Sequence, residues 1–235
     1  KDKMHILLTR PLDDCKELIV RFKSMGHKVS HLPVIKIQNV NHEKVNFNEF
    51  GGIVFTSANA IKNLNTFDIN KKINCFCVGS STENMAKQNG FQNIFCAEGN
   101  VNNLKELILQ NFDKKSGNLL YVSGEIISSN LDKDLISEGY IVKRIINYSV
   151  FPTVEISEEF IKDLKLSIPD MVYVYSENSA RNYLNLLKKY NLLDYWMNTN
   201  LMCLGEKTSS VLNEIKWKKI FIFNPGEEEF LLYKI

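Results

Sequence analysis

Four kinds of segment each occur twice in this chain, and the two sets follow different orders. Residues 5–37 run apolar strand, polar turn, helical pattern, Gly26 and second strand. Residues 119–150 repeat that plan through a strand at 119–122, a turn at Ser123 and Gly124, a helical stretch at 131–136, Gly139 and a strand at 140–146. GIVFTSANAIKNL (52–64) is echoed by MVYVYSENSARNYLNLL (171–187): strand, hydroxyl-rich turn, helix. NCFCVGSSTENMAKQNG (74–90) is echoed by LMCLGEKTSSVLNEI (201–215). Residues 93–108 and 219–232 each give a short strand, a loop with Gly99 or Gly226, and a helical run. With these labelled a, b, c and d, the chain reads a, b-c-d, a, b-c-d. Two similar domains follow, and ligands favour the cleft between domains.

Short β-branched runs alternate with helical periodicity over the whole length. The strands expected are HILLT, KVSHLPVIKI, GIVFTS, CFCVG, NIFCA, LLYVSG, YIVKRII, MVYVYS, LMCLG and KIFIF. Residues 12–25, 58–64, 82–88, 103–111, 131–137, 180–190 and 209–216 carry helical spacing. This alternation predicts an α/β fold of parallel sheets with helices on both faces, at about five strands per sheet. Two cuts satisfy the repeat. One separates contiguous halves near the polar run at 112–117. The other sets residues 1–37 with 151–235 as one domain and inserts 39–147 as a second, through hinge strands near 35–40 and 147–152. The pattern alone permits both.

A chain of 235 residues with 44% apolar content can bury one large core or two modest ones. Its formal charge of +2 sets up no field that would gather nucleic acid or anionic lipid. No apolar stretch reaches the roughly 18 residues of a membrane span, and no secretory leader opens the sequence. The five cysteines lie mostly inside strand patterns and read as small buried hydrophobes in a reducing cytoplasm. The histidines show no metal-ligand spacing, so no metal site is expected. His5 reads as a packing residue in the first strand, and the acidic run at 227–229 as a solvated helix start.

Ligands of open parallel sheets collect beyond the carboxyl ends of the strands. The residues expected there include Thr9, Arg10, Thr56, Ser57, Asn59, Gly79, Ser80, Ser81, Thr82, Ser123, Gly124, Ser176, Asn178, Ser179, Gly205, Thr208 and Ser209. Hydroxyls, amides and glycines at such places cap helices, each worth about 1 kcal/mol. They also leave backbone N–H groups facing one opening, which suits anions. Six such turns point to a large polyanionic ligand. No G-x-G-x-x-G, P-loop or G-x-S-x-G occurs.

LLTRP (7–11), VFTSANA (54–60), CVGSST (77–82), YVSGE (121–125), NYSVFPT (147–153), VYSENSA (174–180) and CLGEKTSS (203–210) follow one another in order. This succession resembles the uroporphyrinogen-III synthase family and covers nearly the whole chain. The resemblance implies two flavodoxin-like domains joined by a two-strand hinge, and so selects the inserted arrangement. It also implies a lyase without cofactor or metal. The substrate would be hydroxymethylbilane, a linear tetrapyrrole with eight carboxylates. Its terminal hydroxyl would leave as water, and a spiro intermediate would invert the last ring before closure to uroporphyrinogen III, in haem biosynthesis.

By the same resemblance Tyr148 assists departure of the hydroxyl, as a phenol still protonated at neutral pH. The other reading of Tyr148 is an aromatic packing the hinge. Thr208 would hold a substrate carboxylate or cap the helix after Gly205. Arg10, Ser57, Asn59, Ser80, Ser81, Thr82, Gly124, Ser176, Asn178 and Ser179 complete the expected binding set. Where the family commonly has an arginine before a glycine, this chain has Ser123 before Gly124; Glu83 and Ser209 also replace alanines. A cytoplasmic monomer is expected, in transient contact with hydroxymethylbilane synthase and with neither nucleic acid nor membrane. The alternatives are a two-domain protein that binds an anionic small molecule without transforming it, and a degenerate pseudo-enzyme kept as a protein partner.

Overall fold

The structure, a computed structural model, describes residues 2–224, 227 and 228. The chain divides into two compact units, Lys1–Lys36 with Phe151–Ile235, and Ile37–Val150. The first unit is built on β1 (His5–Leu8), β2 (Lys28–His31), β9 (Met171–Val174), β10 (Asn200–Leu204) and β11 (Lys219–Phe223), in the order β11-β10-β9-β1-β2. The second holds β4 (Phe50–Phe55), β5 (Asn74–Val78), β6 (Asn93–Ala97), β7 (Asn118–Gly124) and β8 (Val142–Pro152). With β3 (Ile35–Asn39) these form a six-stranded sheet, β3-β8-β7-β4-β5-β6. The chain passes between units within β3 and within β8, which are neighbours in that sheet.

In repeat labels, the first sheet read from β11 and the second read from β6 both give d-c-b-a-a over five strands. The second unit is therefore a circular permutation of the first, which is why the four segments recur in a different order. Pairing within each unit's a–d set is parallel wherever neighbours meet.

Each strand's alternation feeds two cores. Leu7, Val172, Val174, Leu201 and Cys203 face α7 (Glu177–Lys189), while Ile6, Leu8, Met171, Tyr173 and Met202 face α1 (Leu12–Ser24). In the second unit Ile53, Phe55, Cys75, Cys77, Leu120 and Val122 face α2 (Ala58–Lys62) and α3 (Ser80–Gln88). Val54, Phe76, Leu119 and Tyr121 face α4 (Val101–Asn111) and α5 (Leu131–Ser137). Burial on both faces is what makes these strands read as continuous apolar runs.

Three differences from the sequence reading have physical causes. KVSHLPVIKI is two strands of different sheets, because Pro33 has no N–H to donate to a ladder. A helix unanticipated from periodicity, α6 (Glu158–Leu166), starts at Ser157, whose hydroxyl accepts from Phe160 N at 3.2 Å, with Glu158 and Glu159 in its first turn. That cap and acidic pair were its signal. Helices α3, α4 and α7 begin two or three residues earlier than their apolar spacing, and α8 (Glu206–Val211) lies earlier than the 209–216 expected. Their first turns are polar segments that the apolar spacing does not reach. The Gly226 loop and the helical run to 232 lie outside the described residues. Among the described residues, no helix is long and apolar enough to cross a membrane.

His5 does more than pack. It is 6% exposed, and its Nε2 and Nδ1 hydrogen-bond Ser30 Oγ at 2.6 Å and Ser167 Oγ at 3.2 Å. Burial, and then the Lys28 ammonium, hold its pKa below the usual histidine value, outweighing Asp170. The unfolded chain takes up a proton at about pH 6.5 that folded His5 refuses until lower pH. Stability from neutral His5 is thus whole above that value and lost as pH falls below it. Thermal melts at about pH 7.5 and 5.5 should show this loss, and His5→Gln should flatten it. An unchanged slope in that variant would place the titration elsewhere.

Candidate active site

The strand order reverses direction between β4 and β7 in one unit and between β1 and β9 in the other, the points where open α/β sheets bind ligands. In the second unit, β5, β4, β7 and β8 are consecutive neighbours. Their carboxyl ends and the turns beyond gather Ser57, Asn59, Ser80, Ser81, Thr82 and Gly124, with Tyr148 on β8. In the first unit, β1, β9 and β10 gather Arg10, Ser176, Asn178, Ser179 and Thr208.

The two b-type turns are alike. Ser57 and Ser176 share a φ of −148° and each caps its helix, accepting from Asn59 N at 3.1 Å and from Ser179 N at 3.0 Å. Each therefore spends an acceptor and an N–H on its own turn. Asn178 is exposed, and buried Ser179 also accepts from the Ser176 hydroxyl.

The two c-type turns differ from these and match each other. Gly79 and Gly205 enter α3 and α8 at φ 87° and 86°, a left-handed conformation that only glycine takes freely, and neither offers a side-chain cap. The first-turn N–H groups after them have no partner within the helix by position alone. Ser80 and Ser81 are exposed on that turn; Thr82 is buried, as is its counterpart Thr208. The Thr208 hydroxyl donates to Leu204 O at 3.0 Å, so it does not cap α8 as expected; it braces the strand end from inside. Of the two turn types, the glycine turns leave more N–H groups for an anion.

At the first unit's reversal the Arg10 guanidinium lies 4.5 Å from the centroid of the Tyr175 ring. Tyr175 donates to Glu228 Oε1 at 3.1 Å and Tyr173 to Glu228 O at 2.8 Å, so Glu228 ties down the end of β9. Burial, with the Glu228 charge beside it, pushes the Tyr175 phenol well up, and it stays a donor.

Tyr148 owes its place to a bulge. Ser123 pairs with Ile146 but Gly124 pairs with Tyr148, which leaves Asn147 as an extra residue. The Tyr148 ring joins the α2-side core, 9% exposed, against Gly124. A β-carbon on Gly124 would lie 2.7 Å from Cζ and 3.0 Å from the hydroxyl of that ring. The hydroxyl makes no hydrogen bond among the described residues, and unlike Asn147 Oδ1 it is not sealed from solvent.

Sequence reasoning overlooked the residues that fix this corner. Arg144, near the start of β8, donates to Ser123 Oγ at 2.7 Å, to Gly124 O at 2.8 Å and to Glu125 O at 3.0 Å. A guanidinium thus reaches the position where Ser123 stands in place of an arginine. Ser149 donates to Glu125 Oε2 at 2.7 Å, and Glu125 N to Tyr148 O at 3.0 Å. Thr56 and Tyr121 hydroxyls meet at 3.3 Å across the β4–β7 reversal. The isolated position of Arg144 in its strand run gave no local motif to find.

Four of the five cysteines, Cys15, Cys75, Cys77 and Cys203, are buried. Burial pushes the Cys15 thiol up to about 11 and Cys75 and Cys203 to about 12, which disfavours the thiolate a nucleophile or metal ligand needs.

A family model described as uroporphyrinogen-III synthase HemD matches residues 16–225. Among solved structures, a uroporphyrinogen-III synthetase from Helicobacter pylori superposes with a TM-score of 0.63 at 18% identity, over 99% of this chain and 100% of that one. A mutant uroporphyrinogen III synthase from the extremely thermophilic bacterium Thermus thermophilus gives 0.52 at 13% identity, over 98% and 97%. No curated protein sequence matches the chain. At these identities the two structures speak for the fold, and the family model for the kinship.

Because Gly124 makes room for the ring, Gly124→Ala should cost roughly 1–3 kcal/mol in denaturant unfolding, the usual scale of overpacking. In a Tyr148→Ala background the same change should cost almost nothing. An equal cost in both backgrounds would mean that the ring is not what the new methyl meets.

Proposed function

The chain belongs to the uroporphyrinogen-III synthase family, a lyase family of tetrapyrrole biosynthesis, and on that premise we propose how its residues close hydroxymethylbilane. The Tyr148 hydroxyl donates a proton to the terminal hydroxyl of the bilane, which departs as water and leaves an azafulvene cation. Carbon attack at the substituted position of the last ring gives the spiro intermediate, and fragmentation followed by reclosure inverts that ring. The ring carbon that closes the macrocycle then gives up its proton, which restores the phenol. Substrate becomes uroporphyrinogen III plus water, with the tyrosine unchanged.

One observation carries this reading: a tyrosine turned by a bulge onto a glycine, its hydroxyl in reach of solvent and free of partners among the described residues. The protein has not spent that donor on its own folding. A positioned acid of this kind contributes about 10²–10⁴-fold.

The substrate carboxylates are assigned first to the N–H groups that open α3 and α8, with Ser80, Ser81, Thr82 and Thr208 shaping those turns. Arg10, Ser57, Asn59, Gly124, Ser176, Asn178 and Ser179 are the further binding positions. Each contact need supply only about 0.3–1 kcal/mol, since the ligand carries many charges. The proposal includes action as a cytoplasmic monomer that receives its substrate from hydroxymethylbilane synthase.

The test supplies hydroxymethylbilane generated in situ and separates the type I and type III products. Wild-type protein should yield type III, whereas a protein that only binds would leave spontaneous type I. Tyr148→Phe should lower kcat by ~10²-fold or more with its fold intact. Turnover near that of wild type would exclude the phenol as the acid.

A further inference from the structure

We propose that Asn147 is a positioning residue: the bulge it occupies, tied by its amide to α2, sets the aim of the Tyr148 hydroxyl. The inference rests on Tyr148 as the acid. Successive side chains on a strand point to opposite faces, so one inserted residue exchanges the faces of everything beyond it. Ile145 belongs to the core beneath α2. In an unbroken strand residues 147 and 149 would share that face, and Tyr148 would turn to the other. The bulge at Asn147 is therefore what brings Tyr148 onto the Ile145 side and over Gly124.

Asn147 is fully buried and held from two directions. Its Nδ2 donates to Ala60 O at 2.7 Å, and its backbone carbonyl accepts from Val40 N on the neighbouring chain segment at 2.9 Å. Ala60 O is one of the last-turn carbonyls that a helix leaves open, since Leu64 N bonds Ile61 O instead. The amide thereby clamps the bulge to α2, whose other end is the Ser57 cap beside β4.

The clamp is costly to folding. Among the described residues Asn147 Oδ1 has no partner, and a buried unsatisfied acceptor destabilises a protein. An apolar side chain there would remove that orphan but leave buried Ala60 O without the donor it now has. Unsatisfied groups and irregular backbone of this sort collect where function requires them. What the amide provides, and leucine would not, is a fixed direction for the next side chain.

Asn147→Leu removes both the donor and the orphaned acceptor while keeping the branched shape of the side chain. The variant should fold with a thermal midpoint below that of wild type, because buried Ala60 O loses its donor. Its kcat for type III product should fall ~10–10²-fold, the scale of a misplacement near 1 Å, with KM for hydroxymethylbilane little changed. Introduced into Tyr148→Phe, the same substitution should cost no further rate, because the group it aims is gone. If the leucine variant does not fold, Asn147→Ala carries the same measurements. Turnover within about twofold of wild type, or a full additional loss in the double variant, would overturn the positioning role while a slow Tyr148→Phe still upheld the acid. A Tyr148→Phe enzyme as fast as wild type would instead remove the acid and this role with it.

Discussion

Everything in this molecule depends on parallel strands buried on both faces. Such a strand must send alternate side chains into two different cores, and its own polar backbone can be satisfied only by neighbouring strands. Leu7 and Ile6, or Phe76 and Cys77, are adjacent in sequence yet belong to different helix layers. Only the strand ends, where pairing stops and a helix begins, are left to present polar groups. In the proposed reading the binding groups lie at those ends, and Tyr148 is turned toward one of them from within β8 by its bulge.

The repeat shows how strictly the ends are specified. The b turns both open with a capping serine at φ −148°, and the c turns both open with a left-handed glycine and carry a buried threonine three residues on. These matches survive a change in chain order, because the second unit is a permuted copy of the first. Local turn geometry follows from the strand-to-helix transition it serves, and that transition is the same wherever the chain happens to enter the sheet.

Much of this was legible in the sequence. The fold class followed from the strand–helix alternation, and the family from seven weak motifs in order. The turn residues were found because strand ends are marked by Gly, Ser and Thr. Helix starts were placed late, since periodicity reports the apolar face and not the polar first turn; Ser80 and Glu177 belong to helices that their apolar spacing does not reach. Helix α6 was missed because a nine-residue amphipathic segment carries too little period to stand out, although Ser157 and its following glutamates announced it. The bulge could not have been read at all. Register is a relation between β7 and β8, and nothing in NYSV alone says that Asn147 has no partner across the ladder.

The chain holds only four arginines, Arg10, Arg21, Arg144 and Arg181, and three of them have contacts that bear on the site. Arg144 is committed to Ser123 Oγ and to the carbonyls of Gly124 and Glu125, and Arg181 to Glu177 at 2.9 Å. Arg10 lies over Tyr175 and donates to Asp14 O at 3.4 Å. The Arg144 guanidinium, held this way, shapes a strand end, and Arg181 is paired with a carboxylate of its own helix. In the proposed reading, the polyanion is therefore held by many first-turn N–H groups, each weak and each fixed in direction by the helix it opens. A flexible substrate whose last ring must turn over is well served by such contacts, because no single one has to be broken at great cost while the ring inverts.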